Sequence, residues 1–356
     1  MNGEAATDGV ASSTVARQRW RLLSRAVASY GQGKSVSVKE LNSLTTVRQF
    51  CQFGLFDITE AAGARSADEF VEQTWQHVDH PEIRLQLYLR QRVPATACLT
   101  PAALGDGNNN SKTTNSSIIG SNQSGNGNNT GNICVWPSEE VLAHYVIAQA
   151  KAGELIPKEF DGDSGIRVCE LGGGLTCLAG LAAGAALRPR LSHLLLTDGD
   201  QLACENAARC LTANRQILTG GEDQTSRIEA RVAQLAWEDA DFDKHNYGRF
   251  HLVLCADCLF FRESHRALIR TLDKLLMLPT PAATGSNKHR GGLALICAPS
   301  RGRSVEDFAR LAEAAGFDVG VSDNYDPRVS QTASAEQSAS FVPDLHLPLM
   351  LRLTRR

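Results

Sequence analysis

The chain of 356 residues is 42% apolar and 21% charged, a balance that supports a buried core and excludes a disordered or fibrous chain. Its formal charge of −3 excludes a global basic field, so binding to nucleic acid by bulk electrostatics is not expected. No run of about 18 apolar residues marks a membrane span, the opening MNGEAATDGV lacks the apolar centre of a secretory leader, and the cysteines lie scattered singly, which together point to reduced thiols in a cytoplasmic or nuclear protein.

Taken along the chain, residues 11–30 set Trp20, Leu23, Val27 and Tyr30 at helical spacing among Arg17, Arg19, Arg21 and Arg25. An amphipathic helix packed on the protein explains this better than an organelle-targeting segment. Strands are expected over 47–59 (VRQFCQFGLFDIT) and 82–92 (EIRLQLYLRQR), the second alternating through Ile83, Leu85, Leu87 and Leu89. The Asn/Gly/Ser-rich segment 105–131 cannot bury enough apolar surface to order itself and is predicted to be a disordered insertion in a surface loop. It separates an N-terminal extension, 1–104, from a domain over 132–356.

In that domain short apolar strands alternate with helices. Strands are predicted at 166–171, 191–198, 227–237, 250–257, 292–299, 317–323 and 345–353, with helices after the first, second, fourth and fifth of them. Strands followed by helices imply right-handed crossovers and a mainly parallel sheet. No clear helix separates the last two strands, so an antiparallel closing pair is expected there.

The densest chemistry lies in RVCELGGGLTCLAGLAAG, 167–184. Gly172, Gly173 and Gly174 fill the turn from the first strand of the sheet into its helix, where backbone can approach a ligand closely. A dinucleotide fingerprint would require a third glycine, but Leu175, Thr176 and Cys177 follow Gly174. S-adenosylmethionine suits the pattern better, because it presents an amino group and a ribose in place of a pyrophosphate. Asp198 closes the second strand and can accept two ribose hydroxyls, while Glu170 can reach the amine or brace the turn. An NAD-dependent oxidoreductase stays as the alternative of a different class. Cys255 and Cys258 in CADC would diverge on a strand, and no second pair lies at zinc spacing, so no metal is expected.

GNICVWPSEEVLAHY (131–145), ELGGG (170–174), LLLTDGD (194–200), LCADCLFF (254–261) and SDNYD (322–326), in that order, resemble the protein-lysine branch of the seven-strand methyltransferases. The resemblance implies an α/β, Rossmann-like seven-stranded sheet, mostly parallel with an antiparallel last strand, preceded by a helical and β extension. It implies S-adenosylmethionine as cofactor, held by Gly172, Gly173, Gly174 and Asp198 together with Trp136, Trp237 and Ala256. Trp136 would cover a cationic sulfonium, Ser138 would cap the following helix, and Glu139 and Glu140 would favour its dipole. In the acceptor loop Asp257 and Phe260 are the expected catalytic residues and Phe261 a substrate contact. Phe260 stands where most related lysine enzymes have tyrosine, and this departure matches the members acting on calmodulin. The resemblance therefore implies calmodulin as protein partner and trimethylation of one of its lysines, by a monomeric enzyme. Because calmodulin is acidic, Arg301 and Arg303 are expected to meet it.

Overall fold

The computed structural model describes residues 36–37, 52–62, 69–93, 134–156, 165–220, 228–238, 244–279, 291–335 and 341–356. The predicted helix within 11–30 and the insertion 105–131 lie outside the described residues.

The N-terminal part holds β1 (Val36–Ser37), β2 (Phe56–Glu60), β3 (Phe70–His77), β4 (Arg84–Arg90) and β5 (Arg92–Val93). β2, β3 and β4 form an antiparallel sheet in that order, and β1 pairs with β5. Strand β3 was not expected from the sequence; of the predicted strand 47–59, residues 47–51 lie outside the described residues, 52–55 are not strand, and β2 begins at Phe56. The chain kinks at Gly54, at φ +69°, and the flanking N–H groups of Phe53 and Leu55 leave the ladder to bond the carboxylate of Glu140.

There follow α1 (Pro137–Ala152), β6 (Ile166–Glu170), α2 (Leu178–Ala186), β7 (Leu191–Asp198), α3 (Gln201–Ala213), α4 (Arg215–Thr219), β8 (Glu229–Gln234) and β9 (Leu252–Ala256). The chain ends with α5 (His265–Leu275), β10 (Leu293–Ala298), α6 (Ser304–Ala314), β11 (Phe317–Ser322), α7 (Pro327–Ala335), α8 (Pro343–His346) and β12 (Leu349–Arg355). A seven-stranded sheet runs β11-β12-β10-β9-β6-β7-β8. All its neighbours pair parallel except β12, which is antiparallel to both β10 and β11. The expected antiparallel closing pair is present, but two helices, α7 and α8, lie between its strands. Pro343–His346, counted partly within a predicted strand, forms the short α8 because His346 Nδ1 accepts the Val342 N–H at 2.9 Å.

Central strand β9 is buried on both faces, which explains its continuous apolar run, and β6 beside it is buried at every position but Arg167. Helix α1 begins at Pro137, carries Glu139 and Glu140 in its first turn and Lys151 in its last, and stops at the left-handed Gly153, φ +75°. Helix α2 is built almost wholly of Leu, Ala and Gly and is buried along most of its length between α1 and the sheet. The small sheet is part of the same core. Phe56, Trp75, Leu85 and Leu87 join Val141, Leu142 and Val146 of α1 in one apolar cluster. Polar clamps fix the register of this docking. Asn214 both accepts from the N–H and donates to the carbonyl of Gln86, at 2.9 and 2.7 Å, and Asn206 donates to the carbonyls of Tyr88 and Leu175, each at 2.8 Å.

Candidate active site

The strand order reverses between β6 and β9, so the crevice at their carboxyl ends is where an open parallel sheet binds ligand. Among the described residues, the non-glycine residues with positive φ are Cys177, Asp257, Arg301 and Arg303. All four follow the carboxyl ends of β6, β9 and β10. Such conformations cost roughly 1–3 kcal/mol each and gather where function over-determines the backbone.

Leaving β6, the chain turns at Gly172, at φ +62°. A Cβ there would lie 2.9 Å from both Cys258 Sγ and Trp237 Cζ2, so only glycine admits the tryptophan ring and the acceptor loop together. Gly173 donates its N–H to the Thr197 carbonyl at 2.9 Å, and Gly174 donates to Asp198 Oδ2 at 2.8 Å. These bonds draw the turn onto the end of β7. The close helix–strand packing for which the sequence offered no third glycine is supplied deeper in α2: a Cβ on Gly180 would lie 2.7 Å from Glu170 Oε2.

Asp198 Oδ1 accepts the Asp200 N–H at 2.8 Å, so both carboxylate oxygens are pinned by backbone donors. Each oxygen keeps a lone pair for a ligand hydroxyl. Burial raises its pKa, opposed by these same N–H donors. The cap of α3 is Asp200, which accepts from Ala203 N at 3.0 Å, leaving Asp198 free of that role.

Glu170 is fully buried at the end of β6, and its Oε2 accepts the Gly180 N–H at 2.8 Å while Oε1 has no partner. Burial pushes its carboxyl up to about 8. Where bracing of the glycine turn or contact with the amine was expected, one oxygen instead braces α2 at Gly180 and the other remains open.

Trp136 precedes α1, half-buried, with its N–H donated to Glu139 Oε1 at 3.1 Å. Ser138, expected to cap this helix, lies inside it with a buried, unpartnered hydroxyl; the reach-back of Glu139 does the capping. Glu139 is 3% exposed, and its Oε2 has no partner. Burial pushes its carboxyl well above the usual range, reinforced by Glu170, Asp257 and Asp198. Sequence reasoning gave Glu139 only a dipole role, since acids in a first helical turn are ordinarily solvated.

Ala256 ends β9, buried, and Asp257 turns the chain at φ +56° with its N–H on the Cys297 carbonyl at 2.8 Å. That turn brings the Cys258 thiol onto the carbonyls of Ala256 and Leu171, at 3.3 and 3.4 Å, and neighbouring Cys255 together with burial raises it well above its ordinary value. Cys258 therefore turns back beside Cys255 instead of diverging from it. Among the described residues no group of three or more His, Cys, Asp or Glu is placed to hold a metal.

Arg301 pairs bidentately with Asp257, Nη2 to Oδ2 at 2.8 Å and Nη1 to Oδ1, and its guanidinium lies 5.5 Å from the Phe260 ring centroid. It faces the acceptor loop, whereas Arg303 is exposed. Phe260, 36% exposed, meets Phe261 edge to face at 4.9 Å, forming an aromatic lip. The matched segment SDNYD is a connector: Tyr325 donates to the Pro348 carbonyl at 2.7 Å, and Asp326 accepts from His144 at 3.0 Å.

The sequence model described as "Lysine methyltransferase" matches residues 114–291. The chain belongs to this lysine methyltransferase family. A calmodulin-lysine N-methyltransferase of Arabidopsis thaliana is 30% identical over 201 residues, 56% of this chain and 56% of that protein, so the chain spans just over half the length of this curated relative. Two solved structures match part of the chain. The SAH-bound Podospora anserina methyltransferase PaMTH1 is 14% identical with a TM-score of 0.37, covering 61% of this chain and 79% of that one. The O-methyltransferase from Bacillus cereus in complex with SAH is 12% identical with a TM-score of 0.35, covering 61% and 91%. For a family member the sheet order has a direct meaning: the glycine turn, Asp198, Trp237 and the Asp257 loop all converge on one crevice.

Proposed function

We propose that this protein transfers a methyl group from S-adenosylmethionine to a lysine ε-amine of calmodulin. The observation that carries the reading is the joining of Gly174 to Asp198 through one hydrogen bond, which sets a glycine cradle beside a pinned carboxylate. The residues fit the cofactor. The glycine turn is packed too tightly against Cys258, Trp237 and Cys177 for side chains at Gly172 and Gly173, so it presents bare backbone; Asp198 keeps acceptor capacity for a ribose, and buried oxygens on Glu139 and Glu170 without partners suit a cationic ligand. The cofactor supplies an electrophilic methyl group on positively charged sulfur.

The chain's own residues prepare the amine. Lysine has an unperturbed pKa of about 10.4, so only about a thousandth is neutral near pH 7. The Phe260 and Phe261 lip gives the ammonium an apolar entry that disfavours its charge. Asp257 meets it already paired to Arg301, so the amine faces an oriented dipole and not a naked anion, which weakens the hold on its proton. The remaining lone pairs of Asp257 orient the neutral nitrogen, and the proton leaves to water. Positioning then does most of the catalysis.

Calmodulin as target is supported by Phe260 in the acceptor loop and by the name of the 30% identical relative. Mass spectrometry of purified calmodulin incubated with the protein and cofactor is expected to show methyl-sized increments on one lysine. Calmodulin left unchanged, with another protein in a lysate acquiring label, would keep the lysine chemistry and remove this target.

A further inference from the structure

We propose that Glu139 is the anchor for the α-ammonium of the cofactor's methionyl group, a role that rests on the methyl-donor reading above. Its side chain is held from one end only. Oε1 accepts the Trp136 N–H at 3.1 Å, and Oε2 is buried with no partner. A carboxylate oxygen in that condition costs several kcal/mol unless a cation or a donor reaches it.

The surroundings select the cation. The acids nearest in effect to Glu139 are Glu170 and Asp198, which end β6 and β7, and Asp257, which follows β9. The carboxylate of Asp257 is matched by Arg301, and that of Asp198 by two backbone N–H groups. Glu139 and Glu170 are left with one open oxygen each. If Asp198 takes the ribose, the aminoacyl end of the cofactor runs toward β6 and the first turn of α1. Its ammonium then meets Glu139, while the acceptor lysine enters past Phe260 on the β9 side. Trp136 and Glu139 therefore act as one unit: the backbone bond that starts α1 also fixes the carboxylate that receives the ammonium.

The test is calorimetry with two ligands, S-adenosylhomocysteine, which carries the ammonium, and 5′-methylthioadenosine, which lacks the aminoacyl group. Glu139→Gln keeps an acceptor for the Trp136 N–H but removes the charge. It is expected to weaken S-adenosylhomocysteine about tenfold to a hundredfold and leave 5′-methylthioadenosine unchanged. Glu139→Asp, which keeps the charge on a shorter arm, gives a smaller loss with the same selectivity and serves if the Gln variant melts early. Equal weakening of both ligands would make Glu139 a purely structural residue and overturn the proposal. Unchanged S-adenosylhomocysteine affinity with a raised KM for the protein substrate would reassign it to the acceptor lysine. Failure of the unaltered protein to bind either nucleoside would sink the methyl-donor reading, and this assignment with it.

Discussion

Asp198 and Glu170 are both acids at strand ends, yet the structure uses them oppositely, and two substitutions separate their roles. Asp198→Asn replaces one oxygen by an NH2 group, so either the Gly174 or the Asp200 N–H would face a donor. The loss of a ribose acceptor and this clash should reduce affinity for S-adenosylhomocysteine at least about tenfold, with a stability loss of roughly 1–3 kcal/mol. Undiminished binding in a titration would remove Asp198 from the cofactor site. Glu170 is a titration problem. Its folded-state value of about 8 lies above the ordinary 4.5, so its protonated form is favoured by folding. Its contribution is complete below the lower value and is lost as pH rises through the upper one, at up to about 1.4 kcal/mol per unit. Glu170→Gln mimics the protonated form. Urea melts of the ligand-free variant should therefore lose less stability than the unaltered protein between about pH 5 and about pH 8, and parallel curves would refute the assignment. The sequence made both acids visible by their place after apolar strands. It did not show which oxygen of Glu170 remains open, because that depends on Gly180 ten residues later.

At the level of elements, the small N-terminal sheet is clamped to α1 through Glu140, whose oxygens accept the Phe53 and Leu55 N–H groups at 2.8 Å each. Glu140→Gln must turn an NH2 group toward one of them. The expected cost is roughly 1–3 kcal/mol, and it is local. Hydrogen exchange should quicken in β2 and β3 while β6 and β9 stay protected; uniform exchange across both sheets would contradict a separate clamp. His77 adds to the same seam through its 2.8 Å bond to His144, and burial, with neighbouring His144, lowers it to about 4. The seam also shows what sequence patterning can and cannot reveal. The alternation of β6, β7, β9 and β10 with helices was legible because those strands are buried runs. Strand β3 was hidden: FVEQTWQH buries only Val71, Trp75 and His77 on its core face, and its remaining positions are polar or half-exposed. Helix α7 was hidden for a similar reason, since PRVSQTASA buries a single residue, Val329. Glu139 and Glu140 looked like dipole partners, and only the packing of α1 against two sheets turns them inward.

On the scale of the whole molecule, a chain of net charge −3 must approach the proposed acidic substrate against their mutual repulsion. Steering therefore has to come from a local cluster. The rim beside the aromatic lip provides one. Arg262, just before α5, and Arg266 and Arg270 within it follow at four-residue spacing, all exposed, and Arg303 is exposed at the start of α6. The Arg262–Asp307 ion pair, 2.9 Å, ties these two helix starts together, so Arg266 and Arg303 flank one bridge. Arg301 is unsuited to a docking test, because reversing its charge would also break its pair with Asp257. The clean variant is Arg266→Glu with Arg303→Glu. Exposed charges are worth about 0.2–1 kcal/mol each, so the double reversal should raise KM for calmodulin roughly threefold to tenfold. Affinity for S-adenosylhomocysteine should stay constant, and the effect should shrink as salt shortens the Debye length below about 10 Å. A KM that ignores both the reversal and the salt would place the docking surface on another face of the molecule, while leaving the chemistry of the crevice as it stands.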